Sequence, residues 1–307
     1  MNIGSDLGLL RVGVIGAGLI GKQIAMSASS QTEVTVFSRF SSGIPRNTQG
    51  ISNLRCVSVD LSQPNLDQIA FDAEIDVVIN AAINFRSKTL SEFLAIDQNA
   101  LKLAKRFGAS RFVYLSTLSL CSGFGRYPVT EDCPTSTNST YLEAKAEGEL
   151  LALESKSDFT SSSVLRIGAP IGLGMNSDRL LSEFISAAQK NRPLQVYPDG
   201  SRVQQYLDTR DLATGAMLLA FQEHASEIYN IGGRDSVSNL DLAKIVIELC
   251  ESQSQAMIIG AWDQQSGKKF SCDYKRIAEL GYRPQFSISD SIRWIIDAGG
   301  RDDKGTR

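Results

Sequence analysis

Short apolar runs and amphipathic stretches alternate along the first half of the chain. The run LLRVGVIGAG ends in glycines and leads into LIGKQIAMSAS, whose apolar residues recur with the spacing of a helix. The alternation continues through predicted strands at EVTVFSR, LRCVSVD, IDVVINAA and RFVYLST and predicted helices at PNLDQIAF (residues 64–71) and LSEFLAIDQNALKLAKRFG. This alternation predicts an α/β fold with a doubly wound parallel sheet, covered by helices on both faces.

The pattern becomes less regular after residue 168. A helical segment RLLSEFISAAQKN, a Pro/Gly turn YPDGS and an apolar segment EIYNIGG follow. We expect a smaller C-terminal lobe over residues 169–298, with a strand near residues 227–233 returning to the main sheet. The charged, Gly-rich residues 299–307 are predicted to form a flexible tail.

Three glycines separate the first predicted strand from the first predicted helix. Gly16, Gly18 and Gly21 form the pattern GxGxxG. Bare backbone N–H groups and a helix N-terminus can hold the pyrophosphate of a dinucleotide there, and a Cβ atom would keep the phosphate away. The pattern therefore predicts a Rossmann-like, NAD(P)-binding domain over residues 10–168, although a simple tight turn would also use these glycines.

The end of the second predicted strand indicates which dinucleotide is bound. An acidic side chain there would accept a hydrogen bond from a free ribose hydroxyl, but the strand ends in Ser38 and Arg39. These side chains can instead meet a 2′-phosphate, and a charge-assisted hydrogen bond contributes about 1.5–3 kcal/mol. The pattern favours NADP(H), with NAD as the alternative if Arg39 is an ordinary surface charge.

A tyrosine and a lysine lie four residues apart in STYLEAKAE. On a helix, this spacing places Tyr141 and Lys145 one above the other on the same face. The spacing alone is common on solvated helix surfaces, so its meaning depends on the motifs around it.

The overall composition narrows the classes of partner. The 307-residue chain has a formal net charge of -3 and 42% apolar residues, without a Lys/Arg cluster that could follow a phosphate backbone. We expect small molecules or a second copy of the chain as partners, and no nucleic acid. The N-terminal apolar stretch is too short and too interrupted for a signal peptide or a membrane span, so no membrane partner is expected.

The numbers and positions of the cysteines and of the single histidine indicate whether disulfides or a metal site are to be expected. The five cysteines are scattered, odd in number and never spaced as CxxC, which indicates neither a disulfide framework nor a zinc site and suits a reducing cytoplasm. His224 is the single histidine and lies in a polar stretch. Ser-His-Asp chemistry and His-ligated metals are therefore disfavoured, and no metal site is predicted.

Several further segments follow in a characteristic order. They are VSVDLS, INAAI, RFVYLST, STYLEAKAE, LRIGAPIGLG, YPDGSRVQQYLDTRDLA, EIYNIGG and LGYRP. Together they resemble an extended short-chain dehydrogenase/reductase of the NAD(P)-dependent epimerase/dehydratase family, over about residues 11–297. The resemblance implies a cofactor site formed by Gly16, Gly18, Leu19, Ile20, Gly21, Ser38, Arg39, Asp60, Leu61, Asn80, Ala81, Ala82, Tyr141 and Lys145.

The resemblance also implies a catalytic set of Thr117, Tyr141 and Lys145. Tyr141 would give or take the proton, and Lys145 would lower the pKa of the phenol and reach a ribose hydroxyl. Thr117 would hold the substrate oxygen by a hydrogen bond. Together with Arg202 and Gln204, Thr117 completes the expected substrate-binding residues.

The chain departs from the family pattern at several positions. Ala169 and Ile171 stand where the family often has Asn and Tyr, and Gln204 stands where an arginine often meets the diphosphate of a nucleotide sugar. The catalytic threonine is followed by Leu118 and Ser119. Dehydratases of the family typically have acidic residues there, so dehydration is disfavoured.

These observations lead to a hypothesis about activity. We expect NADPH-dependent reduction of a ketone on a sugar-like or nucleotide-sugar substrate, because a preference for NADP(H) suits net reduction. An NAD(P)-dependent sugar epimerase is the alternative, and a non-catalytic dinucleotide sensor is the alternative from another class. The resemblance further implies a homodimer in which helices near residues 90–107 and 141–155 pair across a two-fold axis.

Overall fold

Seven parallel strands form the main sheet of the computed structural model, which describes residues 10–39, 53–63, 69, 73–122, 126–223, 225–260 and 266–302. The strands are β1 Arg11–Ile15, β2 Glu33–Ser38, β3 Leu54–Ser58, β4 Val77–Asn80, β5 Arg111–Thr117, β6 Ser161–Ile167 and β10 Ile228–Ile231. Their order is β3-β2-β1-β4-β5-β6-β10. The strand order reverses between β1 and β4, and open α/β sheets bind ligands at the carboxyl ends of the strands beside such a reversal.

Helices cover both faces of this sheet. On one face lie α1 Leu19–Ala28 and α5 Thr209–Phe221, and on the other lie α2 Leu90–Arg106 and α3 Thr140–Glu154. The other α-helices that the structure describes are α4 Leu180–Gln189, α6 Asn239–Leu249, α7 Lys275–Glu279 and α8 Ile288–Asp302. Val12 and Val14 of β1 pack in the apolar cluster that contains α1 and α5, whereas Ile15 packs in the cluster that contains α2 and α3. This alternation buries both faces of the strand, and the predicted doubly wound α/β fold is confirmed.

The remaining strands form two small sheets after residue 168. They are β7 Ala169–Ile171, β8 Leu194–Val196, β9 Val203–Asp208, β11 Ser236–Ser238, β12 Ala256–Ile258 and β13 Lys269–Phe270. Strand β9 pairs in parallel with β7 and β13 and antiparallel with β11, while β8 pairs in parallel with β12. A separate apolar core joins α4, α6 and α8. The strand expected near residues 227–233 is β10, which pairs with β6 of the main sheet.

One expectation needs correction. Cys121 and Cys133 form a disulfide, with Cα atoms 5.8 Å apart and a sequence separation of 12; the linear spacing did not indicate it because the approach depends on how the intervening chain folds back. Helix α8 continues to Asp302 and so includes the first four residues of the expected tail. A glycine costs about 1 kcal/mol in a helix, but a helix anchored in a core extends one residue at a time.

Some expectations concern residues outside the described ranges. The predicted helix at residues 64–71 lies there except for Ile69, and so does His224. Of the helices that the structure describes, none combines the length and the apolar character that a bilayer-crossing segment requires.

Candidate active site

The turn between β1 and α1 contains three glycines, and each position requires or tolerates glycine for a different physical reason. Gly16 has φ +95°, a left-handed conformation, and a Cβ there would lie 2.9 Å from the Cα of Ala82. A Cβ on Gly21 would lie 1.9 Å from the carbonyl oxygen of Gly16, so this glycine lets the helix pack against the turn. A Cβ on Gly18 would have no other residue's heavy atom within 4 Å, apart from the two chain neighbours and the backbone of the helix itself. The turn is therefore closed on its protein side and open on its ligand side.

The N-terminus of α1 points into this open space. Gly18 is the N-cap, no side chain caps the helix, and the first turn carries no acidic residue. The first N–H groups of the helix therefore have no side-chain acceptor, and they favour an anion. A pyrophosphate fits this position because the backbone can approach it without an intervening Cβ.

A cavity of about 690 Å³ extends from this turn along the carboxyl ends of β1 to β4. Most of the predicted cofactor residues line it: Gly16, Gly18, Leu19, Ile20, Ser38, Arg39, Asp60, Leu61, Ala81 and Ala82. Of the other four, Tyr141 and Lys145 line a neighbouring cavity, whereas Gly21 and Asn80 line neither. Gly21 packs against the turn, and Asn80 is 1% exposed, with its amide donating to Asp97 and its oxygen accepting from the backbone of Ala82.

Arg39 and Asp60 both line this cavity, and the charge of Arg39 acts on the carboxyl group of Asp60. Burial raises the pKa of Asp60. Hydrogen bonds from Ser62 and Gln63 and the charge of Arg39 together lower it by more than burial raises it, so the pKa lies below its usual value. The cavity therefore presents a carboxylate and a guanidinium side by side where β2 and β3 end.

The predicted catalytic residues come from β5 and α3. Thr117 ends β5, and its hydroxyl accepts a hydrogen bond from the backbone of Ser119 at 3.1 Å. Ser139 caps α3 by accepting from the backbone of Leu142 at 3.3 Å, which fixes where the helix begins. Tyr141 and Lys145 consequently lie one turn apart on the face that meets β5.

Tyr141 is half-buried among aromatic side chains. Its ring centroid lies 6.1 Å from that of Phe85 and 6.4 Å from that of Phe93. Burial raises the pKa of the phenol above its usual value, and the hydrogen bond with Thr117 and the positive charge of Arg179 offset this effect only in part. Thr117 and Arg179 are therefore the polar neighbours that favour the phenolate in the protein by itself.

Lys145 is buried, and its ammonium group is held from the sheet side. Its Nζ donates to the carbonyl oxygen of Leu115 at 2.8 Å and to the hydroxyl of Tyr114 at 3.2 Å. An ammonium has three N–H donors, so one remains for the cavity that this side chain lines.

A second cavity, of about 1380 Å³, lies over these residues and shares part of its wall with the first. Thr117, Tyr141, Lys145, Arg202 and Gln204 all line it, so the predicted catalytic and substrate-binding residues are brought together. The shared wall includes Ala81, Ala82, Ala169, Pro170, Arg179, Arg202 and Gln204. The two cavities therefore form one cleft between the main sheet and the C-terminal lobe.

The charge of this cleft is mostly positive. Among the described residues that line either cavity, the basic ones are Arg39, Lys145, Arg179, Arg202, Lys268 and Lys269, and the acidic one is Asp60. The Nε of Arg202 is buried without a hydrogen-bond partner, and its guanidinium lies 4.8 Å from the ring centroid of Phe270. The cleft is suited to anionic ligands.

Several residues around the site were not predicted from the sequence. Arg179 precedes α4 and carried no motif. Asp97 and Glu149 are buried acids on α2 and α3. The signal for Asp97 was present, because an acidic residue falls at the helical spacing of the apolar residues Phe93 and Ala100.

Glu149 is part of a buried ion pair beneath the catalytic helix. Arg166 donates to its two oxygens at 2.8 and 2.7 Å, and the hydroxyl of Ser116 donates at 2.5 Å. Arg166 also contacts the sulfur atoms of Cys121 and Cys133. This network fixes α3 on β5 and β6.

Comparison with known proteins agrees with this architecture. The dTDP-glucose 4,6-dehydratase of Streptomyces niveus is 28% identical over 92% of this chain and 91% of that protein. The dTDP-glucose 4,6-dehydratase of an Actinoplanes species is also 28% identical, but the match covers 64% of this chain and 62% of that protein.

A solved structure supports the fold. The UDP-glucuronic acid 4-epimerase of Bacillus cereus in complex with NAD superposes with a TM-score of 0.81 at 21% identity, covering 95% of this chain and 99% of that one. A model of the NAD dependent epimerase/dehydratase family matches residues 12–232. The resemblance seen in the sequence is thereby confirmed, and the chain is an enzyme that belongs to the NAD dependent epimerase/dehydratase family.

Proposed function

We propose that this enzyme is an NAD(P)-dependent epimerase of a nucleotide-linked sugar, acting through a transient ketone. The observation that carries the proposal is the continuous cleft that holds Thr117, Tyr141 and Lys145. The glycine turn at Gly16 and Gly18 lines another part of this cleft, and Arg179 and Arg202 line the part that the two cavities share. The relatives named for dehydration and epimerisation act, by their names, on dTDP- and UDP-linked sugars. They favour the epimerase alternative over the net reduction that the sequence led us to expect.

The cofactor would be held by the turn at Gly16 and Gly18 and by the N-terminus of α1. When bound, the dinucleotide supplies the hydride chemistry of the reaction. Arg39 lies where it can meet a 2′-phosphate, so we propose a preference for NADP(H), although the nearby carboxylate of Asp60 competes for the same guanidinium.

Tyr141 would remove the proton from the sugar hydroxyl and later return it to the ketone. A phenol with a reference pKa near 10 needs help to act as a base at neutral pH. In the protein by itself, burial holds the pKa of the Tyr141 phenol above its usual value, and Thr117 and Arg179 offset this effect only in part. We propose that the charge of Lys145, on the same helix face, favours the phenolate when substrate and cofactor are bound. Thr117 would hold the reacting oxygen by its hydroxyl.

The substrate phosphates would lie against Arg179 and Arg202. These side chains line both cavities, and the buried Nε of Arg202 lacks a partner that an anion could supply. Gln204 donates to the neighbouring backbone at 3.2 Å and retains an N–H for ligand. We propose on this basis that residues 169–298 mainly bind substrate.

Epimerisation is favoured over dehydration by the proton-transfer groups at hand. Of the described residues that line the larger cavity, none is Asp, Glu or His. Elimination of water needs an acid and a base beside the tyrosine, whereas epimerisation through a ketone needs only one group that takes and returns a proton. Leu118 packs in an apolar cluster directly after Thr117.

The enzyme is further proposed to act as a homodimer through α2 and α3. These helices pack against each other, and Leu150 of α3 is 52% exposed. Pairing of the two helices with those of a second copy would bury this side chain.

The function can be tested by incubating the purified protein with each dinucleotide and a panel of UDP-, dTDP- and GDP-linked sugars. Epimerisation gives a product of unchanged mass that NMR identifies as a stereoisomer. Loss of water indicates a dehydratase, loss of carbon dioxide a decarboxylase, and stoichiometric consumption of NADPH a reductase. Any of those three results, or absence of turnover across the panel, would contradict the epimerase proposal.

A further inference from the structure

Asp97 is a buried carboxylate that no step of the proposed mechanism uses. It lies on α2 and is 7% exposed. Its Oδ2 accepts a hydrogen bond from the hydroxyl of Tyr114 at 2.9 Å, and its Oδ1 accepts from the amide of Asn80 at 2.9 Å. A carboxylate at such depth remains charged only where neighbouring groups compensate the loss of water.

The compensating cation is Lys145. Its Nζ donates to the same Tyr114 hydroxyl, so one oxygen atom separates the ammonium from the carboxylate. Burial raises the pKa of Asp97 and lowers that of Lys145, and in each case the charge of the other group opposes the effect. The charged state of each residue therefore depends on the other.

Other titratable groups also face Lys145. They are Tyr114 from β5, and Tyr141 and Glu149 from α3. Glu149 is already compensated, because both of its oxygens accept from Arg166. Among the described residues, no Lys or Arg nitrogen forms an ion pair with Asp97 within 4.0 Å. Lys145, through the tyrosine hydroxyl, is thus the cation available to it.

Two further features connect this pair to the catalytic tyrosine. A small cavity of about 10 Å³ has Asp97, Tyr114, Tyr141 and Lys145 among its lining residues, so these four residues border one shared space. The helix also leaves room for the bridge, because a Cβ on Gly148 would lie 2.1 Å from the Tyr114 hydroxyl and 2.8 Å from Oδ2 of Asp97.

From this geometry we infer that Asp97 is a positioning residue, which keeps the ammonium of Lys145 charged and, through Tyr114, in place beneath Tyr141. The inference rests on the proposed function, in which the charge of Lys145 favours the phenolate. Asp97 touches neither of the two ligand cavities, so its effect on the reaction passes through Lys145.

The test is a pH titration of Lys145 itself, followed by NMR of its ε-CH₂ group in lysine-labelled protein and assigned with Lys145→Arg. In Asp97→Asn the shape is retained and the negative charge is lost. Because that charge raises the pKa of Lys145, its removal moves the titration midpoint to lower pH, by about 1–3 pH units for one adjacent opposite charge. Asp76→Asn is the matched control, since it removes an acid paired with Arg11 at the other end of β4. There the midpoint should stay unchanged.

A second variant keeps the inference testable if Asp97→Asn does not fold. Tyr114→Phe removes the bridging hydroxyl while both charges remain, and it should also move the Lys145 midpoint to lower pH. An unchanged midpoint in every variant that folds would overturn the inference. The readout needs no substrate, so failure of the nucleotide-sugar panel would reject the proposed function without affecting this result. Conversely, an active epimerase with an unchanged midpoint would reject only the role of Asp97.

Discussion

Tyr141 and Lys145 lie one helical turn apart on the same face of α3, and both side chains line the larger cavity. Their surroundings differ. The ring of Tyr141 packs near Phe85 and Phe93, whereas the ammonium of Lys145 is held by the backbone of Leu115 and the hydroxyl of Tyr114. The phenol is thus positioned by apolar contacts at the cavity, and the lysine is anchored to the sheet behind it.

Replacing Tyr141 with Phe should remove the proton-transfer group and leave the aromatic contacts intact. We expect kcat to fall by about 10²–10⁴-fold, the usual effect of losing a general acid-base group. Dinucleotide binding, followed by fluorescence titration, should change little. Tyr197→Phe is the control, because this tyrosine is 60% exposed and lies outside the described lining of both cavities. Full activity of Tyr141→Phe on a true substrate would exclude the catalytic role.

Arg39 should determine the choice between dinucleotides. NADP(H) is expected to bind more tightly than NAD(H), and Arg39→Ala should weaken NADP(H) binding by about 10- to 100-fold, the value of one charge-assisted hydrogen bond. NAD(H) affinity should change far less. Calorimetric titration of both dinucleotides measures the difference, with the exposed Arg55 of β3 replaced by Ala as control. Equal affinities of the unaltered enzyme for NADP(H) and NAD(H) would contradict the proposed role of Arg39.

Two Gly→Ala substitutions should separate ligand binding from stability. Gly18→Ala places a methyl group in open space at the cavity, so it should weaken dinucleotide binding without lowering the melting temperature. Gly148→Ala drives a methyl group against the hydroxyl of Tyr114, and such overpacking costs about 1–3 kcal/mol, partly offset by the helix preference of Ala. Thermal unfolding distinguishes them, and the reverse order of stabilities would contradict these assignments.

The buried ion pair under α3 should contribute strongly to folding. Glu149→Gln leaves Arg166 buried without a counter-charge, so the free energy of unfolding should fall by about 3–5 kcal/mol. Glu279→Gln is the control, because its partner Lys275 is 80% exposed and such pairs contribute about 0–1 kcal/mol. Urea denaturation measures both. Similar losses in the two variants would show that burial does not decide the cost.

The dimer predicted through α2 and α3 can be tested at the exposed Leu150. If this residue lies in the interface, Leu150→Arg should produce a monomer in light scattering at micromolar concentration. Met26→Arg, at a 42% exposed position of α1 on the opposite face of the sheet, should leave the dimer intact. A monomeric unaltered protein would end the dimer proposal.

The sequence by itself determined the features that depend on local pattern. Short apolar runs alternate with amphipathic helical segments, and this alternation specifies a parallel sheet covered by helices on both faces. The reason is that each strand and helix must bury its own apolar residues. The turn at Gly16, Gly18 and Gly21 and the spacing of Tyr141 and Lys145 are equally local, since backbone conformation and helix period fix them within a few residues. Thr117 was expected in the site because RFVYLST resembles a segment of the family, and in the structure this residue ends β5.

Only the tertiary structure decided which distant side chains complete the site. Asp97, Tyr114 and Lys145 come from α2, β5 and α3, and Arg179 reaches the cleft from the C-terminal lobe. The disulfide of Cys121 and Cys133 likewise depends on how the chain folds back between them. Such contacts are set by the packing of separate elements at ångström precision, and the period of apolar residues carries no information about which polar groups will meet there.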